Sequence, residues 1–298
     1  MVIGDIGAAG GYNRMWRLLN DQHKVIGFEP HEESFKKLQA DDTCEYFNIA
    51  LGKSREPITV FLQNWRWASG SYRPDDSFWK RFPNAEMMNS HREESFIPIP
   101  LDDFRRENKV RSFDYLKLDT EGSELEILMG SKETLSECLA VEVEVTFYET
   151  HKGRPLFSEI EMYMREIGFY LYDIDTYRHQ RSSLPPIEKV YSQPSSVGQM
   201  LWGDALFMRD MIGSPSSLKR ISERLSSDKI LKMICLYELF NQLDSAVELL
   251  ERAVDENILP DFFRSWLDLL VPVTLGRALS LSEYREIFNS LPVPRDGD

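Results

Sequence analysis

One stretch near the middle of the chain, Phe113-Asp114-Tyr115-Leu116-Lys117-Leu118-Asp119-Thr120-Glu121-Gly122-Ser123-Glu124, constrains the fold more than any other. Phe113, Tyr115, Leu116 and Leu118 form an apolar, β-prone run suited to a buried strand. Asp119 and Glu121 then fall just outside its carboxyl end, where an open α/β sheet collects its ligands. Gly122 permits close backbone approach, and Ser123 is placed to cap a helix carrying Leu125, Leu128 and Met129. Taken alone, the same turn is equally a plain strand-to-helix connection whose acids favour the helix N-terminus.

The N-terminal run Val2-Ile3-Gly4-Asp5-Ile6-Gly7-Ala8-Ala9-Gly10-Gly11 supplies a second turn of the same kind. A short apolar strand enters a glycine-rich loop, and Tyr12 to Leu19 continue at helical spacing. The pattern is Asp-x-Gly-x-x-x-Gly, through Asp5, Gly7 and Gly11. It lacks the Gly-x-Gly-x-x-Gly of dinucleotide-binding enzymes, whose helix start cradles a pyrophosphate. Asp5 is suited to a cationic group. A third element, Lys24-Val25-Ile26-Gly27-Phe28-Glu29-Pro30, reads as the next strand and ends in an acid a little over twenty residues beyond the first turn. That spacing suits a carboxylate accepting hydrogen bonds from two ribose hydroxyls.

With these turns in order, the chain resembles the FkbM-type S-adenosylmethionine-dependent methyltransferases. The matching pieces are Asp5-Ile6-Gly7-Ala8-Ala9-Gly10-Gly11, Gly27-Phe28-Glu29-Pro30, Asn48-Ile49-Ala50-Leu51-Gly52, Pro100-Leu101-Asp102-Asp103-Phe104 and Leu116-Lys117-Leu118-Asp119-Thr120-Glu121-Gly122-Ser123-Glu124. The last, usually Lys-Ile-Asp-Val-Glu-Gly-x-Glu, is fairly specific; the first is shared by many methyltransferase families. The resemblance implies a Rossmann-like methyltransferase fold, a mainly parallel seven-stranded sheet with flanking helices. It also implies S-adenosylmethionine as cofactor, held by Asp5, Gly7, Ala8, Gly11, Glu29, Pro30, Asn48, Ala50 and Asp119. That cofactor offers an amino group and a sulfonium, and no phosphate. Family members generally carry a segment ahead of the glycine loop, whereas only Met1 to Gly4 precede Asp5 here. The expectation is a very short first strand, or a numbering that begins inside a longer protein.

A formal net charge of -14 argues against binding a nucleic-acid backbone, which needs clustered Lys and Arg. No apolar run is long enough to span a bilayer and no basic-then-apolar leader opens the chain, so membrane insertion is not expected. Cys44, Cys138 and Cys235 are widely spaced and form no Cys-x-x-Cys, which points to reduced thiols and a cytoplasmic protein.

Strand and helix patterns alternate to about residue 210. Candidate strands are Val2–Asp5, Val25–Glu29, Glu45–Ile49, Ile58–Leu62, Phe96–Ile99, Asp114–Leu118, Leu139–Thr146, Gly168–Ile174 and Ala205–Arg209, with late strands able to add antiparallel at one edge. Candidate helices are Tyr12–Leu19, Glu32–Ala40, Leu101–Glu107, Glu124–Met129 and Phe157–Ile167. Between Leu62 and Phe96 lies a long irregular insert rich in Trp and Phe around Ala68-Ser69-Gly70-Ser71, which reads as a lid or binding loop. A polar stretch from Tyr177 to Val197 either borders the acceptor pocket or forms a hairpin loop. From Ser214-Pro215 the character becomes helical, with Leu243, Ala246, Val247, Leu250 and Val254 on one face and Phe262, Phe263, Trp266, Leu267 and Leu270 on another. The division is therefore residues 1–212, a cofactor-binding methyltransferase domain, and residues 213–298, an all-helical appendage. The appendage packs against the catalytic domain or against another subunit, the latter giving a homo-oligomer.

Methyl transfer from a sulfonium is a direct displacement, so acceptor, methyl and sulfur must be aligned and water excluded. A hydroxyl acceptor must also lose its proton near the transition state. Asp119 and Glu121 are the leading candidates for acceptor orientation and proton removal, with Glu144 and His151 as secondary candidates. Asp119, Glu121, Glu142 and Glu144 are also hard oxygen donors of the kind Mg²⁺ takes. Strand alternation puts Glu142 and Glu144 on one face near Lys117 instead, and no metal is expected. The acceptor is expected to be a small molecule or glycan, methylated on a hydroxyl of a sugar or other polar metabolite. Two other classes stay open. A nicotinamide oxidoreductase is disfavoured by the missing glycine fingerprint, and a non-catalytic scaffold by the intact Asp119 and Glu121.

Overall fold

Alternating apolar runs and turns produce the sheet that positions everything else. The computed structural model describes residues 1–83, 85–185, 197–213, 226–273 and 277–291, and the chain divides into two compact units, Met1–Asp210 and Met211–Asp298. Among the described residues the first unit holds nine strands: β1 (Val2–Ile6), β2 (Lys24–Phe28), β3 (Cys44–Phe47), β4 (Ile58–Gln63), β5 (Ser90–Phe96), β6 (Tyr115–Leu118), β7 (Ala140–Thr146), β8 (Tyr170–His179) and β9 (Gln199–Met208). Seven form one sheet in the order β3-β2-β1-β6-β7-β9-β8. The first five of these pair in parallel, and β9 joins antiparallel to β7 and β8.

Parallel strands sit inside a sheet covered on its faces, and their side chains reflect it. Ile3, Ile6, Leu116, Leu118, Val141 and Val143 are all buried. On one side Phe28, Phe47 and Phe104 meet in edge and stacked contacts, with Phe104 4.7 Å from Phe28 and 4.8 Å from Phe47 between ring centroids. The chain order reverses between β1 and β6, and at such a switch point the loops leaving two neighbouring strands diverge and open a crevice.

Several elements differ from the expectations. The run Phe96–Ile99 is not a strand of its own; β5 covers Ser90–Phe96 and pairs antiparallel with β4 as a separate two-stranded sheet. The Leu62–Phe96 insert is therefore a hairpin whose connection holds short turns of helix at Arg66–Ala68, Asp76–Trp79 and Ala85–Met88. Val60 and Leu62 alternate with Thr59 and Phe61 in a way that reads as a strand, but the sequence offered no signal for its partner. The helix expected over Tyr12–Leu19 is a 3-10 helix, Arg14–Leu19, and the one expected over Glu32–Ala40 is a single turn, Glu32–Phe35. Tyr177 to His179 lengthen β8 rather than opening a loop, while 186–196 and the Ser214-Pro215 helix start lie outside the described residues.

In the second unit the helices Ser227–Leu239, Leu243–Asp255 and Leu281–Ser290 accompany a 3-10 helix, Asp261–Leu270. Ala246, Leu250 and Val254 are buried as their spacing implies, joined by Leu249 and Ala253. The second expected face splits. Phe263, Leu267 and Leu270 are buried, whereas Phe262 and Trp266 stay exposed because ten residues of 3-10 winding rotate them off that face. Among the described residues no helix is long and apolar enough to cross a membrane.

One helix, Lys132–Glu137, had no counterpart in the sequence reading. Its N-terminus is capped from a distance: the Asp102 carboxylate accepts from Glu133 N at 2.9 Å, Thr134 N at 2.8 Å and Thr134 Oγ1 at 2.7 Å. Asp102→Ala removes these acceptors and is expected to cost about 1–2 kcal/mol. Urea unfolding followed by circular dichroism reads that as a lowered midpoint, with cofactor affinity retained.

Candidate functional site

The glycine loop after β1 is built by backbone contact. Gly7 N and Ala8 N both donate to Phe28 O at 3.0 Å, locking the loop onto the end of β2. Gly7 has φ +88°, and a Cβ there would stand 1.8 Å from Asp119 O, so only glycine lets the β1 and β6 turns touch. Ala8 is buried and packs inward toward Gly27, away from the crevice. Asp5, 4% exposed, carries a buried Oδ1 without a hydrogen-bond partner. Burial pushes its carboxyl up to about 6, with Lys117 opposing the shift and Asp119 and Glu142 adding to it.

At the end of β2, Glu29 is also buried, and its Oε1 accepts from His31 N at 2.8 Å. Burial raises its pKa, against the His31 N–H and the Arg66 charge. Asn48 reaches this turn from the segment after β3, donating from Nδ2 to Glu29 O at 2.8 Å and Pro30 O at 2.9 Å. It thus holds the backbone of the turn, while Pro30 and Ala50 line the crevice beside Glu29.

The turn after β6 is the most highly charged part of the site. Glu121 has φ +55°, unusual for a residue with a side chain, and Gly122 follows at +125°. Glu124 holds this shape: its carboxylate accepts from Thr120 N at 2.8 Å, Thr120 Oγ1 at 3.0 Å and Gly122 N at 2.9 Å. Ser123 stands at the N-cap position, but its hydroxyl pairs with Ser71 Oγ at 2.5 Å and makes no capping bond. Lys117 Nζ lies 2.9 Å from Asp119 Oδ2. Burial works against the Lys117 charge, yet Asp119 and Asp5 raise its pKa above the ordinary value. Behind the turn, the buried Arg154 guanidinium faces Glu144 Oε2 at 2.5 Å, Glu121 Oε2 at 3.4 Å and Glu124 Oε2 at 3.8 Å. Burial drives the Glu121 pKa well above its usual value, Glu144 adds to the rise and Arg154 opposes it. Burial likewise pushes Glu144 up to about 8 against Arg154.

These turns surround one cavity of about 500 Å³. Asp5, Gly7, Gly11, Glu29, Pro30, Ala50, Asp119 and Glu121 line it, as do Ser69, Gly70 and Ser71 from the insert. A Cβ on Gly70 would stand 1.8 Å from Glu121 O, so the insert lies directly against the acidic turn. Phe78, Trp79 and Phe82 are buried in a core of the insert itself, whereas Trp67 is 60% exposed at the cavity wall beside Gly10. Ala8, Asn48, Glu144 and His151 do not line this cavity. His151 is buried under the insert, its ring nitrogens 3.1 Å from Gln63 Nε2 and 2.9 Å from Thr150 Oγ1. Burial, with Arg154 nearby, lowers its pKa to about 3, which keeps the ring neutral.

Oxygens of Asp119, Glu121 and Glu144 lie within 4.8 Å of one another, close enough for a cation. Lys117 already pairs with Asp119 and Arg154 with Glu144 and Glu121, and Glu142 turns to Tyr115 Oη at 2.9 Å. An adenosyl cofactor fits the donor set better. The orphaned Asp5 oxygen suits an ammonium, Glu29 suits ribose hydroxyls, and Ile49, Leu51, Phe96 and Ile127 offer an apolar wall for a base. Arg154 and Glu124 are the parts that sequence reasoning missed. Glu124, two residues past Gly122, carried a local signal as an acid at a helix start. Arg154 carried none.

No match was found among curated proteins. Solved structures with similarity include magnesium protoporphyrin IX methyltransferase of Synechocystis PCC 6803 with bound S-adenosylmethionine, at 8% identity, covering 70% of this chain and 69% of that one with a TM-score of 0.34. TYW2 of M. jannaschii in complex with the same cofactor is 12% identical, over 70% of this chain and 69% of its own, with a TM-score of 0.31. Overlap this loose assigns no residue a role. The profile of the methyltransferase FkbM domain matches residues 5–171, from Asp5 into β8 and more than half of the chain. The chain belongs to the FkbM family of S-adenosylmethionine-dependent methyltransferases.

Proposed function

We propose that the protein moves the methyl group of S-adenosylmethionine to a hydroxyl of a sugar, a glycan or another polar metabolite. The observation that carries this reading is that one cavity collects the Asp5–Gly11 loop, the Glu29–Pro30 turn, the Asp119–Ser123 turn and Ser69–Ser71 of the insert. The bound cofactor supplies a methyl group on positively charged sulfur, open to direct displacement. Asp5 meets its amino group and Glu29 its ribose. Asn48 acts one step back by fixing the Glu29–Pro30 backbone.

Asp119 takes the proton of the attacking hydroxyl. Lys117 holds Oδ2 of that carboxylate and so sets its orientation at the cavity wall. Glu121 orients the acceptor, and the insert shields the reacting groups from water. Support for a sugar comes from Trp67, an exposed ring at the cavity wall suited to the apolar face of a pyranose, next to the hydroxyls of Ser69, Ser71 and Thr120. The helical unit carries none of these residues and is read as an accessory domain. Free thiols at Cys44, Cys138 and Cys235 are in keeping with a cytoplasmic enzyme.

Incubation with labelled S-adenosylmethionine and fractionated extract of the source organism, followed by mass spectrometry, tests the reaction; label on a nitrogen or carbon of the product would overturn the hydroxyl assignment. With the acceptor in hand, Asp119→Asn is expected to lower kcat by about 10²–10⁴-fold with little change in affinity for S-adenosylhomocysteine. Full activity in this variant would remove Asp119 as the base. Glu29→Ala is expected to weaken S-adenosylhomocysteine by about 1–3 kcal/mol in calorimetry.

Asp5 makes the cofactor site sensitive to acid. In the free protein its carboxyl takes up a proton as the pH falls through about 6, and a neutral Asp5 pairs poorly with an ammonium. Affinity for S-adenosylhomocysteine is therefore expected to fall by about tenfold between pH 7 and pH 5. Asp5→Asn should bind more weakly at pH 7 and lose this dependence.

A further inference from the structure

Glu121, Glu124 and Glu144 face a single buried guanidinium, Arg154. Glu124 spends its oxygens on Thr120 and Gly122. Glu121 and Glu144 are left with oxygens within 4.8 Å of each other and of Asp119. Two partly buried carboxylates at this distance compete for one cation, and the less closely paired of them is favoured to hold a proton. Arg154 is not divided evenly: it lies 2.5 Å from Glu144 but 3.4 Å from Glu121. Among the described residues the surroundings add no second cation to the pair. Asp204 stands opposite Glu144 in the β7–β9 register, Glu142 two residues back on β7 is bonded to Tyr115, Lys117 is engaged by Asp119, and His151 is neutral between Gln63 and Thr150. From the insert, the Tyr72 hydroxyl donates a hydrogen bond to Glu126 Oε1 at 2.7 Å.

We propose that Glu121 and Glu144 hold one proton between them against Arg154, so that Glu121 meets the acceptor as a hydrogen-bond donor and leaves the base role to Asp119. Arg154 is the positioning residue: by neutralising Glu144 it keeps the proton on the cavity side. The raised pKa values of both acids run in the same direction. A neutral Glu121 selects acceptors that present an oxygen lone pair next to the reacting hydroxyl, as a ring oxygen or a vicinal hydroxyl does. No net proton is consumed: the acceptor's proton goes to Asp119, and the shared proton stays where it was. This rests on the reading of the Asp119–Glu121 turn as the acceptor site, but the protonation can be measured with no acceptor and no cofactor.

Infrared spectroscopy of the full chain reads the carbonyl band of a protonated carboxyl group separately from carboxylate bands. The expected result is such a band at pH 7 in the wild type, lost on raising the pH to about 10 and lost at pH 7 in both Glu121→Gln and Glu144→Gln, because removing either acid leaves Arg154 to the other. Absence of the band from the wild type at pH 7, or its survival undiminished in either variant, overturns the proposal; the small protonated fraction of Asp5 is common to all three proteins and cancels in the difference. Glu121→Gln changes a side chain at the cavity wall and decides alone if Glu144→Gln does not fold by circular dichroism. In kinetics with the identified acceptor, Glu121→Gln keeps a donor and should retain kcat within about tenfold, whereas Glu121→Ala should not. A missing band beside an inactive Asp119→Asn sinks only this inference. A band with a fully active Asp119→Asn sinks the base assignment and spares the shared proton.

Discussion

The contact between the two turns at the centre of the sheet governs the rest of the site. The loop after β1 and the turn after β6 meet backbone to backbone, with Gly7 against the Asp119 carbonyl and no room for a side chain. A second close approach, Gly70 against the Glu121 carbonyl, brings the insert onto the same turn. Both depend on the reversal of strand order between β1 and β6, which opens the crevice these turns line. Glycine at these two points thus fixes the distance between the β1 loop, the acidic turn and the insert.

Charge is handled by separation. The proposed cofactor side has Asp5 and Glu29, each buried and each with its carboxyl displaced upward by that burial. The proposed acceptor side has Asp119 on Lys117, and Glu121 and Glu144 on Arg154. A buried ion pair adds little to stability by itself, because desolvation offsets the attraction. Here the pairs order a set of acids that would otherwise repel one another, and Glu124 holds the strained Glu121 backbone in place through the Thr120 and Gly122 donors. Removing Arg154 would therefore affect shape and protonation together, which is why protonation has to be read directly.

Much of this was legible in the amino-acid sequence, because each motif is a local event. Strand, turn and helix follow one another within a dozen residues at Asp5–Gly11, at Glu29–Pro30 and at Asp119–Glu124, and each turn needs residues whose conformational or chemical demands are visible one position at a time. The parallel core was legible for the same reason, since Val141, Val143, Leu116 and Leu118 must be buried wherever their strands lie. Cofactor class followed from a glycine loop without the dinucleotide spacing and from the family resemblance those motifs carry.

Tertiary structure decided what depends on residues far apart in the chain. The pairing of β4 with β5 closes over a long connection, so alternation in one strand says nothing about its partner. Asp102 capping a helix thirty residues away, Ser71 meeting Ser123, and Arg154 reaching three glutamates are long-range meetings with no periodicity to announce them. The division of labour among the acids belongs to the same class. Asp119, Glu121 and Glu144 are alike as letters, and only the distances to Lys117 and Arg154 separate a lysine-paired carboxylate from two that share one guanidinium, Glu121 at the cavity wall and Glu144 behind it. The sequence by itself singled out the three turns that the fold gathers at one cavity, because each is set by neighbours along the chain. Which carboxyl does what was left to the fold, because a pKa is set by neighbours in space.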